Sequence, residues 1–561
     1  MYHYFRSSFP SNAHTEKLLP GIRAAAEEYL EKPVEALRYS EYKLYHKIGS
    51  RVEYEASYIA HRRRANVFTV MALAEDAPKW LEELEDILWA VCDEYTWALP
   101  AHVSADYPTE DAVTRLDLFA CETGAMLADV MDLLGDRLSV EVYNRVVYEL
   151  RRRIIVPFLT TESPRYGNNW SAICGGCPAM VAMRLGTAEE AAEAIRKADE
   201  LMANFLTSYH DDGCCLEGPL YWRYGFGFFC YYAAMARDYT GGANNWFAQK
   251  KVRSVAEFCN KFYLQDNHVI PFADASHDMY FHIGLSHFLA KEYGSIAQPD
   301  EKFELLFDDD PRHRSAELIR DFYWHDPDLK VCELSGDASF DLPDAKWYIR
   351  RNGKTVFATK GGHNLEPHNH NDVGSFFLFD DNRYILDDLG WPEYDKWYFT
   401  EKRPEYLCSG SHGHNLPIIG GNCQKPGRER EASVLSVTAD QVAYDISAAY
   451  DLSGVTVRRT LTFRDGKLLV ADTFTGCRGM EIRERFFTRL EPVLTAETAA
   501  IENWTITADR SCRVEHSTDT FEPRLSCCKQ DMKSVETAHL IDFVATPNAD
   551  TWTVTFSVGR K

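Results

Sequence analysis

The chain has 561 residues, of which 45% are hydrophobic and 13% aromatic. One ordinary hydrophobic core does not extend over this length, so we expect at least two domains. The net charge of −24 argues against nucleic acid and against an anionic membrane as partners, because an acidic surface repels both. An acidic substrate would therefore need a cleft that is locally basic.

The beginning of the chain gives no sign of export. Residues 1–10 contain no basic segment followed by an apolar run, and nowhere do eighteen apolar residues follow one another. We expect a soluble, cytoplasmic protein, with a trimmed secreted form as the alternative. The fifteen cysteines are scattered, which favours reduced thiols over a disulfide framework. A homodimer is one candidate assembly, and the sequence does not determine the oligomeric state.

From about residue 15 to about residue 325 the apolar residues recur at helical spacing. Thr187 and Glu190 form a capping box, and apolar residues follow at steps of three and four. Residues 118–134 repeat this pattern and stop at Gly135, a residue type that commonly ends helices. We predict many helices joined by short turns.

After about residue 330 the apolar spacing changes to two, which is typical of half-buried strands. Residues 455–463 alternate, Asp465 and Gly466 suit a hairpin turn, and residues 468–474 continue as the returning strand. Helices first and strands second predict an α+β protein with two domains, residues 1–328 and residues 329–561. Their junction is the expected place for a cleft.

Segment 361–375, Gly-Gly-His-Asn-Leu-Glu-Pro-His-Asn-His-Asn-Asp-Val-Gly-Ser, is rich in groups that bind metals or move protons. In an extended chain His368 and His370 project to the same side, so they could present two imidazoles to one metal ion or one substrate. Segment 411–415, Ser-His-Gly-His-Asn, adds two more imidazoles. Two His-x-His elements with an aspartate between them predict a metal site, and these ligands suit Zn²⁺. The alternative is a set of polar loop histidines at a domain edge.

Segment 211–225 contains a second group of candidate side chains. Pro219 fits the first turn of a helix, which would place Tyr221 and Tyr224 three residues apart on one face. Glu217 lies just before this helix, and Arg223 lies between the two tyrosines. Tyrosines on an aromatic helix are usually core residues, so this segment alone is a weak signal.

The aromatic content of 13% suits a protein that stacks the flat faces of sugars, and two further segments contain side chains that could do so. Asn168 and Asn169 precede Trp170 at the start of another helix, where an amide can cap the helix or bind a carboxylate. Trp97 and His102 could add a flat sugar platform and an imidazole at the cleft. Structural packing is the alternative for both segments.

Together these segments resemble the heparinase II/III-like polysaccharide lyases, a family that includes heparin, chondroitin and oligoalginate lyases. The resemblance covers about residues 97–417, and it rests on five ordered motifs: Asn168-Asn-Trp, Asp212-Gly followed by Glu217-Gly-Pro-Leu-Tyr-Trp-Arg-Tyr, His368-x-His-x-Asp-x-Gly-Ser-Phe, Asp388-Leu-Gly and His414-Asn. It implies an (α/α) toroid packed on an antiparallel β-sandwich. This division agrees with the change of period near residue 330.

The resemblance also implies roles for single residues. Tyr221 matches the catalytic tyrosine of the family and His368 its catalytic histidine, while Arg223 and Tyr224 match neighbours that line the cleft. Some members have Asn-His at the amide motif, where this chain has Asn168 and Asn169. An amide can replace that histidine only as a charge neutraliser, so the base would be Tyr221 or His368. We favour Asn169 as the amide that contacts substrate.

The metal ligands implied by the family are His370, Asp388 and His414, with Zn²⁺ as the expected ion. In this family the metal lies in the sandwich and holds the loop of the catalytic histidine. We therefore expect a structural role for it.

The implied reaction is β-elimination from a uronate, with an acidic polysaccharide as the substrate. A group that neutralises the uronate carboxylate stabilises the enolate-like transition state formed when the C5 proton leaves. An unperturbed phenol has a pKa of about 10, so Tyr221 would need nearby cations to act as the base. Arg223 and the run 61–64, His-Arg-Arg-Arg, are candidates, although such a run is more often a solvated helix face.

Three alternatives remain for the function. An alginate or oligoalginate lyase would share the fold with a glycosaminoglycan lyase. A non-catalytic glycan-binding protein on a lyase fold would lack part of the set Tyr221, His368, His370, Asp388 and His414, which is complete here. A zinc hydrolase of the metallo-β-lactamase type would continue its His-x-His-x-Asp motif with histidine, where this chain has valine.

Overall fold

The helical half of the chain precedes the sheets, as predicted. The computed structural model describes residues 2–6, 8–162, 166–329, 334, 336–394, 397–523 and 535–561. Its α-helices before the first strand are α1 (Ala13–Leu30), α2 (Tyr39–Ile48), α3 (Val52–Ala74), α4 (Pro78–Asp93), α5 (Thr109–Val113), α6 (Leu118–Leu134), α7 (Val140–Leu150), α8 (Val156–Thr160), α9 (Asn169–Leu185), α10 (Ala188–Phe205), α11 (Pro219–Tyr221), α12 (Gly227–Tyr239), α13 (Lys250–Ala256), α14 (Cys259–Phe262), α15 (Ile283–Tyr293) and α16 (Ser315–Tyr323). Among the described residues, no helix is long and apolar enough to cross a bilayer.

Capping residues set the ends of the helices that the sequence predicted most clearly. The capping box of Thr187 and Glu190 begins α10, with both side-chain to backbone hydrogen bonds present. Helix α6 ends at Leu134, as predicted, but Gly135 is not left-handed and has φ −54°. The chain continues instead into a 3₁₀ turn, Gly135–Arg137, so a left-handed cap is not needed there.

The second half of the chain forms antiparallel sheets. Its strands are β1 (Asp337–Leu342), β2 (Trp347–Asn352), β3 (Thr355–Lys360), β4 (His363–Asn364), β5 (Phe376–Asp380), β6 (Arg383–Leu386), β7 (Pro417–Ile419), β8 (Gly427–Glu431), β9 (Ser433–Val437), β10 (Gln441–Asp445), β11 (Thr456–Arg464), β12 (Lys467–Thr475), β13 (Ile482–Thr488), β14 (Val493–Leu494), β15 (Thr498–Ile501), β16 (Trp504–Ala508), β17 (Arg513–Phe521), β18 (Glu536–Ala545) and β19 (Thr551–Arg560), with one short helix, α17 (Ser447–Tyr450), between β10 and β11. The predicted hairpin is β11 and β12, in which Arg464 pairs with Lys467 around the turn. Asp465 and Gly466 both have positive φ, as a two-residue hairpin turn requires.

The strands form two packed layers. An eight-stranded sheet has the order β14-β15-β16-β19-β12-β11-β10-β9 and faces a five-stranded sheet, β1-β2-β3-β5-β6, and a four-stranded sheet, β17-β18-β13-β7. Phe463 of β11 stacks on Phe357 of β3 with 6.0 Å between ring centroids, and Phe556 of β19 contacts Phe486 of β13 at 5.0 Å. These contacts form the core of the sandwich.

The five-stranded sheet joins the two domains because both of its faces are buried. Alternate residues point to opposite faces of a strand. In β3, Val356 and Ala358 belong to the core of the helical domain, whereas Phe357 between them belongs to the core of the sandwich. Every residue of β3 is accordingly buried. The predicted boundary at residue 328 falls between α16 and β1.

A close backbone approach fixes the junction beside this sheet. Gly390 follows β6 and has φ +63°, and a Cβ atom on it would lie 2.0 Å from the carbonyl oxygen of Ala275 in the helical domain. The same oxygen accepts a hydrogen bond from the backbone N–H of Trp391 at 3.1 Å. Only glycine allows this contact.

We expect Gly390→Ala to destabilise the protein by about 2 to 5 kcal/mol, through left-handed strain and overpacking together. Gly421→Ala is the matched control, because Gly421 has φ +78° with nothing within 4 Å of the added Cβ. It should cost only about 1 to 2 kcal/mol. Differential scanning calorimetry of the two variants measures the difference. Equal losses of melting temperature would show that the close approach does not exist.

Candidate active site

Tyr221 lies at the junction of the two domains, at the end of α11. Pro219 begins this helix, as predicted, and the helix then changes to a π-helical turn, Trp222–Phe226. The change of helix type rotates the following residues, so Tyr221 and Tyr224 have different neighbours. The expectation that both phenols share one face is therefore wrong. Single π turns of this kind occur frequently at functional sites.

Tyr224 points into the helical domain. Its hydroxyl donates to Glu122, and the guanidinium of Arg314 lies 4.1 Å from its ring centroid. Arg314 also donates to Glu122 at 3.0 Å. Burial and then the charge of Glu122 hold the pKa of Tyr224 well above its usual value. The structure thus places Tyr224 in a separate cluster from Tyr221.

Tyr221 stacks against His368 of the sandwich domain. The two ring centroids are 4.2 Å apart, at an angle of 31° between the ring planes. His368 lies in the loop between β4 and β5 and has φ +55°. A non-glycine residue in this region is uncommon and frequently marks a functional constraint. The expectation of an extended chain at His368 is therefore wrong.

A buried aspartate of the helical domain, Asp274, accepts hydrogen bonds from both histidines of this loop. Nδ1 of His368 lies 2.7 Å from one carboxylate oxygen, and Nε2 of His370 lies 3.3 Å from the other. Burial alone would raise the pKa of Asp274, but these hydrogen bonds and the charge of Arg403 hold it well below its usual range. We infer an ionised carboxylate that orients both imidazoles.

A loop after β6 adds three more contacts to Asp274. Tyr394 donates to it at 2.8 Å, Tyr398 at 2.5 Å and Arg403 at 3.0 Å. The hydroxyl oxygen of Tyr394 also lies 3.5 Å from that of Tyr221. Sequence reasoning missed these residues, together with Asp274. The one available signal was an aspartate inside the apolar stretch Ile-Pro-Phe-Ala-Asp-Ala at residues 270–275.

Asn169 and Glu217 line one small pocket with Tyr221. Asn168, in contrast, caps α9, because its side-chain oxygen accepts from the backbone N–H of Trp170 at 3.1 Å. Burial raises the pKa of Glu217, while the charge of His368 opposes that shift and the charge of Asp274 adds to it. Of the two amides, Asn169 is therefore the one that reaches the pocket.

Trp170 and His102 line an open groove on the helical domain. Their ring centroids are 4.9 Å apart, and His102 is oriented by Asp117 at 2.7 Å. Trp97 lies elsewhere: it is 1% exposed, and its indole N–H donates to the carbonyl of Val91. A sugar platform needs an exposed ring, so the structure does not support that role for Trp97.

The predicted cations are also engaged in structural contacts. Arg223 donates to the carbonyl oxygen of Tyr280 at 2.5 Å. In the run 61–64, Arg62 pairs with buried Glu94 and Arg64 with Glu83, and both arginines are buried. The cation that the structure places beside His368 and Asp274 is Arg403 instead. Its guanidinium also lies 4.2 Å from the ring centroid of Tyr398.

A group of buried side chains next to this site could hold a metal ion. His370, Asp372, Asp388 and His414 each offer a ligand atom, and these atoms lie within 4.8 Å of one another. Nδ1 of His370, Oδ2 of Asp388 and both ring nitrogens of His414 are buried without hydrogen-bond partners among the described residues. Because Nε2 of His370 bonds to Asp274, its Nδ1 is free for a metal, which is the usual arrangement of a metal-binding histidine. His412 lies outside this group, so each His-x-His element contributes one imidazole.

The arrangement defines a class of protein. A long helical domain precedes an antiparallel sandwich, and a tyrosine of the first contacts a histidine of the second at their junction. Residues 335–558 match the family model described as Heparinase II/III-like, C-terminal. The chain therefore combines a helical domain with a sandwich of the heparinase II/III-like type.

Solved structures support this architecture over almost the whole chain. The heparan sulfate lyase from Pedobacter heparinus superposes with a TM-score of 0.63 and 13% identity, over 98% of this chain and 89% of that one. A heparinase III superposes with a TM-score of 0.64 and 14% identity, over 99% and 93%. The chondroitin AC lyase of Streptomyces coelicolor A3, solved in complex with chondroitin sulphate, gives 0.59 and 12%, over 98% and 80%. At these identities the similarity establishes the fold. No curated protein sequence gives a match.

Proposed function

We propose that the chain is a polysaccharide lyase that cleaves a uronate-containing glycan, of the glycosaminoglycan class, by β-elimination. The observation that carries the proposal is the contact between Tyr221 and His368, with Asp274 behind the imidazole. The similar solved structures include lyases named for heparan sulfate and chondroitin, which favours this class of substrate. An alginate or oligoalginate lyase is the alternative within the same fold.

The uronate carboxylate would bind toward Asn169 and His368. A base removes the C5 proton, the C4–O4 bond breaks, and a C4–C5 double bond forms while the leaving O4 takes up a proton. Hydrogen bonds from the amide and the imidazole would stabilise the charge that develops on the carboxylate. Asp274 bonds to Nδ1 of His368 at 2.7 Å and so fixes the orientation of the imidazole ring.

The contacts of His368 and Tyr221 favour different roles for the imidazole and the phenol. The imidazole of His368 is held by Asp274, whereas the phenol of Tyr221 carries a hydroxyl that can transfer a proton. Tyr221 would then remove the C5 proton and return it to O4. Its ring stacks on His368, so the phenol and the imidazole can contact the same sugar.

A cleavage assay tests the proposal directly. Heparan sulfate, chondroitin sulfate, hyaluronan and alginate are each incubated with the protein, and the ultraviolet absorbance of unsaturated uronate ends is followed. We expect one polymer to be cleaved and its carboxyl-reduced form to resist cleavage, because the carboxylate takes part in the transition state. Removing sulfate should reduce turnover far less. Equal cleavage of the carboxyl-reduced polymer would exclude β-elimination.

We expect Tyr221→Phe to lower kcat at least about 100-fold without changing the melting temperature, because it removes the oxygen that moves the proton. Tyr232→Phe is the matched control: it removes a phenol oxygen that bonds to Asp199, away from the site. That variant should keep its activity. If Tyr221→Phe retained more than about a tenth of the activity, the barrier change would be under about 1.4 kcal/mol, and Tyr221 would be neither acid nor base.

We further propose that His370, Asp388 and His414 bind one Zn²⁺ ion with a structural role. Nδ1 of His414 lies 3.3 Å from Asp388, and Nδ1 of His370 lies 4.0 Å from it. Asp372 suits the site less well, because Lys360 lies 2.9 Å from its carboxylate and neutralises it. A bound ion would stabilise the fold of the loop that carries His368.

Elemental analysis of protein purified without chelator should give one Zn²⁺ per chain. A chelator should lower the melting temperature, because an ion that binds only the folded state stabilises it by about 2.7 kcal/mol at 100 times its Kd. His414→Ala should abolish both the bound metal and this effect. His412→Ala should keep both, since His412 lies outside the group of ligands. Absence of stoichiometric metal in the unaltered protein would refute the site.

A further inference from the structure

Three histidines stack where the first and last helices of the helical domain meet. His14 belongs to α1, His287 belongs to α15, and His325 follows α16. The ring of His325 contacts both of the others, with centroid distances of 4.1 Å to His14 and 5.0 Å to His287. Both contacts are stacked, at angles of 17° and 23° between the ring planes. This histidine stack therefore ties the beginning of the domain to its end.

Each ring of the histidine stack has a buried nitrogen without a hydrogen-bond partner among the described residues. These atoms are Nε2 of His14, Nε2 of His287 and Nδ1 of His325. Nδ1 of His287 accepts a hydrogen bond from the backbone N–H of Asp326 at 3.0 Å, so Nε2 carries the proton of the neutral ring. His287, Glu301 and His325 lie close enough together to share a metal ion, but a protonated Nε2 has no lone pair for one. Protons, rather than a metal, are the ligands that this arrangement can take up.

The stacked geometry opposes protonation of the rings. Positive charges on adjacent stacked rings repel each other, and burial removes the water that would solvate them. Burial, His325 and Lys17 lower the pKa of His14 to about 3. Burial and the charge of His325 lower the pKa of His287 to about 4, and burial lowers the pKa of His325 as well. The three rings are therefore neutral at neutral pH.

The carboxylates around the histidine stack offset this repulsion only in part. Glu304 lies 3.5 Å from Nδ1 of His14, but it also binds Lys17. Glu301 is exposed, so water screens its attraction for a charge on His325. The other two carboxylates that attract such a charge have cations of their own; the pairs are Asp326 with Lys291 and Asp321 with His282. Both lysines also repel a proton on the stack.

We propose that the histidine stack is an acid-sensitive latch, which holds α1 against α15 and the end of α16 while its rings are neutral and releases α1 when they take up protons. A released histidine titrates near pH 6.5, whereas the stacked rings resist protonation to lower pH. The latch is therefore closed above about pH 6.5, and its stability falls as the pH drops below that value. Each excluded proton shifts the opening equilibrium about tenfold per pH unit in this window.

Hydrogen exchange of the full chain, read by mass spectrometry of peptides from α1, measures the opening. After correction for intrinsic exchange rates, the protection of α1 should fall by up to about 1000-fold between pH 7.5 and pH 5.5, about tenfold for each excluded proton. The protection of α10, which lies away from the stack, should change far less. His325→Phe should make the fall at least about tenfold smaller, because it keeps a stacked ring and removes the proton that this ring would take up. His210→Asn, at an exposed histidine, is the matched control and should leave the fall unchanged.

A second measurement needs no variant, so it also covers a His325→Phe protein that fails to fold. Exchange of the imidazole Cε1–H against pH gives the titration midpoint of each histidine in the folded chain. Midpoints well below about 6.5 for all three rings support the latch, and midpoints near that value overturn it. Equal protection of α1 at both pH values, or a fall that His325→Phe leaves unchanged, overturns it as well. None of these readouts uses lyase activity, so the latch and the proposed reaction stand or fail separately.

Discussion

The site depends on one buried carboxylate that joins the two domains. Asp274 belongs to the helical half, and it accepts hydrogen bonds from His368, His370, Tyr398 and Arg403 of the other half. A buried charge is costly unless it is paired and hydrogen-bonded, so these groups must come together when the domains pack. The junction and the site are therefore built by the same interaction.

Asp274 also orients the two histidines of the His368-x-His370 element for different functions. The left-handed backbone of His368 turns its ring toward Tyr221, while His370 remains in the buried group with Asp388 and His414. Both rings still reach Asp274, one at each oxygen. A single residue thus orients the exposed imidazole for substrate and leaves Nδ1 of the buried one for a metal. Because both rings bond to Asp274, a displacement of one ring would also displace the other.

Local sequence signals predicted the architecture well and the site in part. The capping box of α10 and the hairpin turn at Asp465 depend on neighbouring residues, so they were predictable. The shared face predicted for Tyr221 and Tyr224 was wrong, because that prediction assumed an unbroken α-helix. Asp274 was missed since it lies 94 residues from His368, a distance over which spacing carries no information. The resemblance to the family did identify His368, because the motif around it consists of neighbouring residues.

The charge of the protein constrains how an acidic glycan can bind. With a net charge of −24, long-range attraction is not available, and salt screens interactions beyond about 8 Å at physiological ionic strength. Recognition must therefore come from short-range contacts, and the described residues near Tyr221 supply few free cations. Arg403 is held by Asp274, and Arg223 donates to the carbonyl oxygen of Tyr280. An amide at Asn169 and an aromatic face at Trp170 add no net charge and need no neutralising partner. Binding by such groups depends on the shape and hydrogen-bond pattern of a uronate more than on its charge density, which is how an acidic protein can select an acidic polymer.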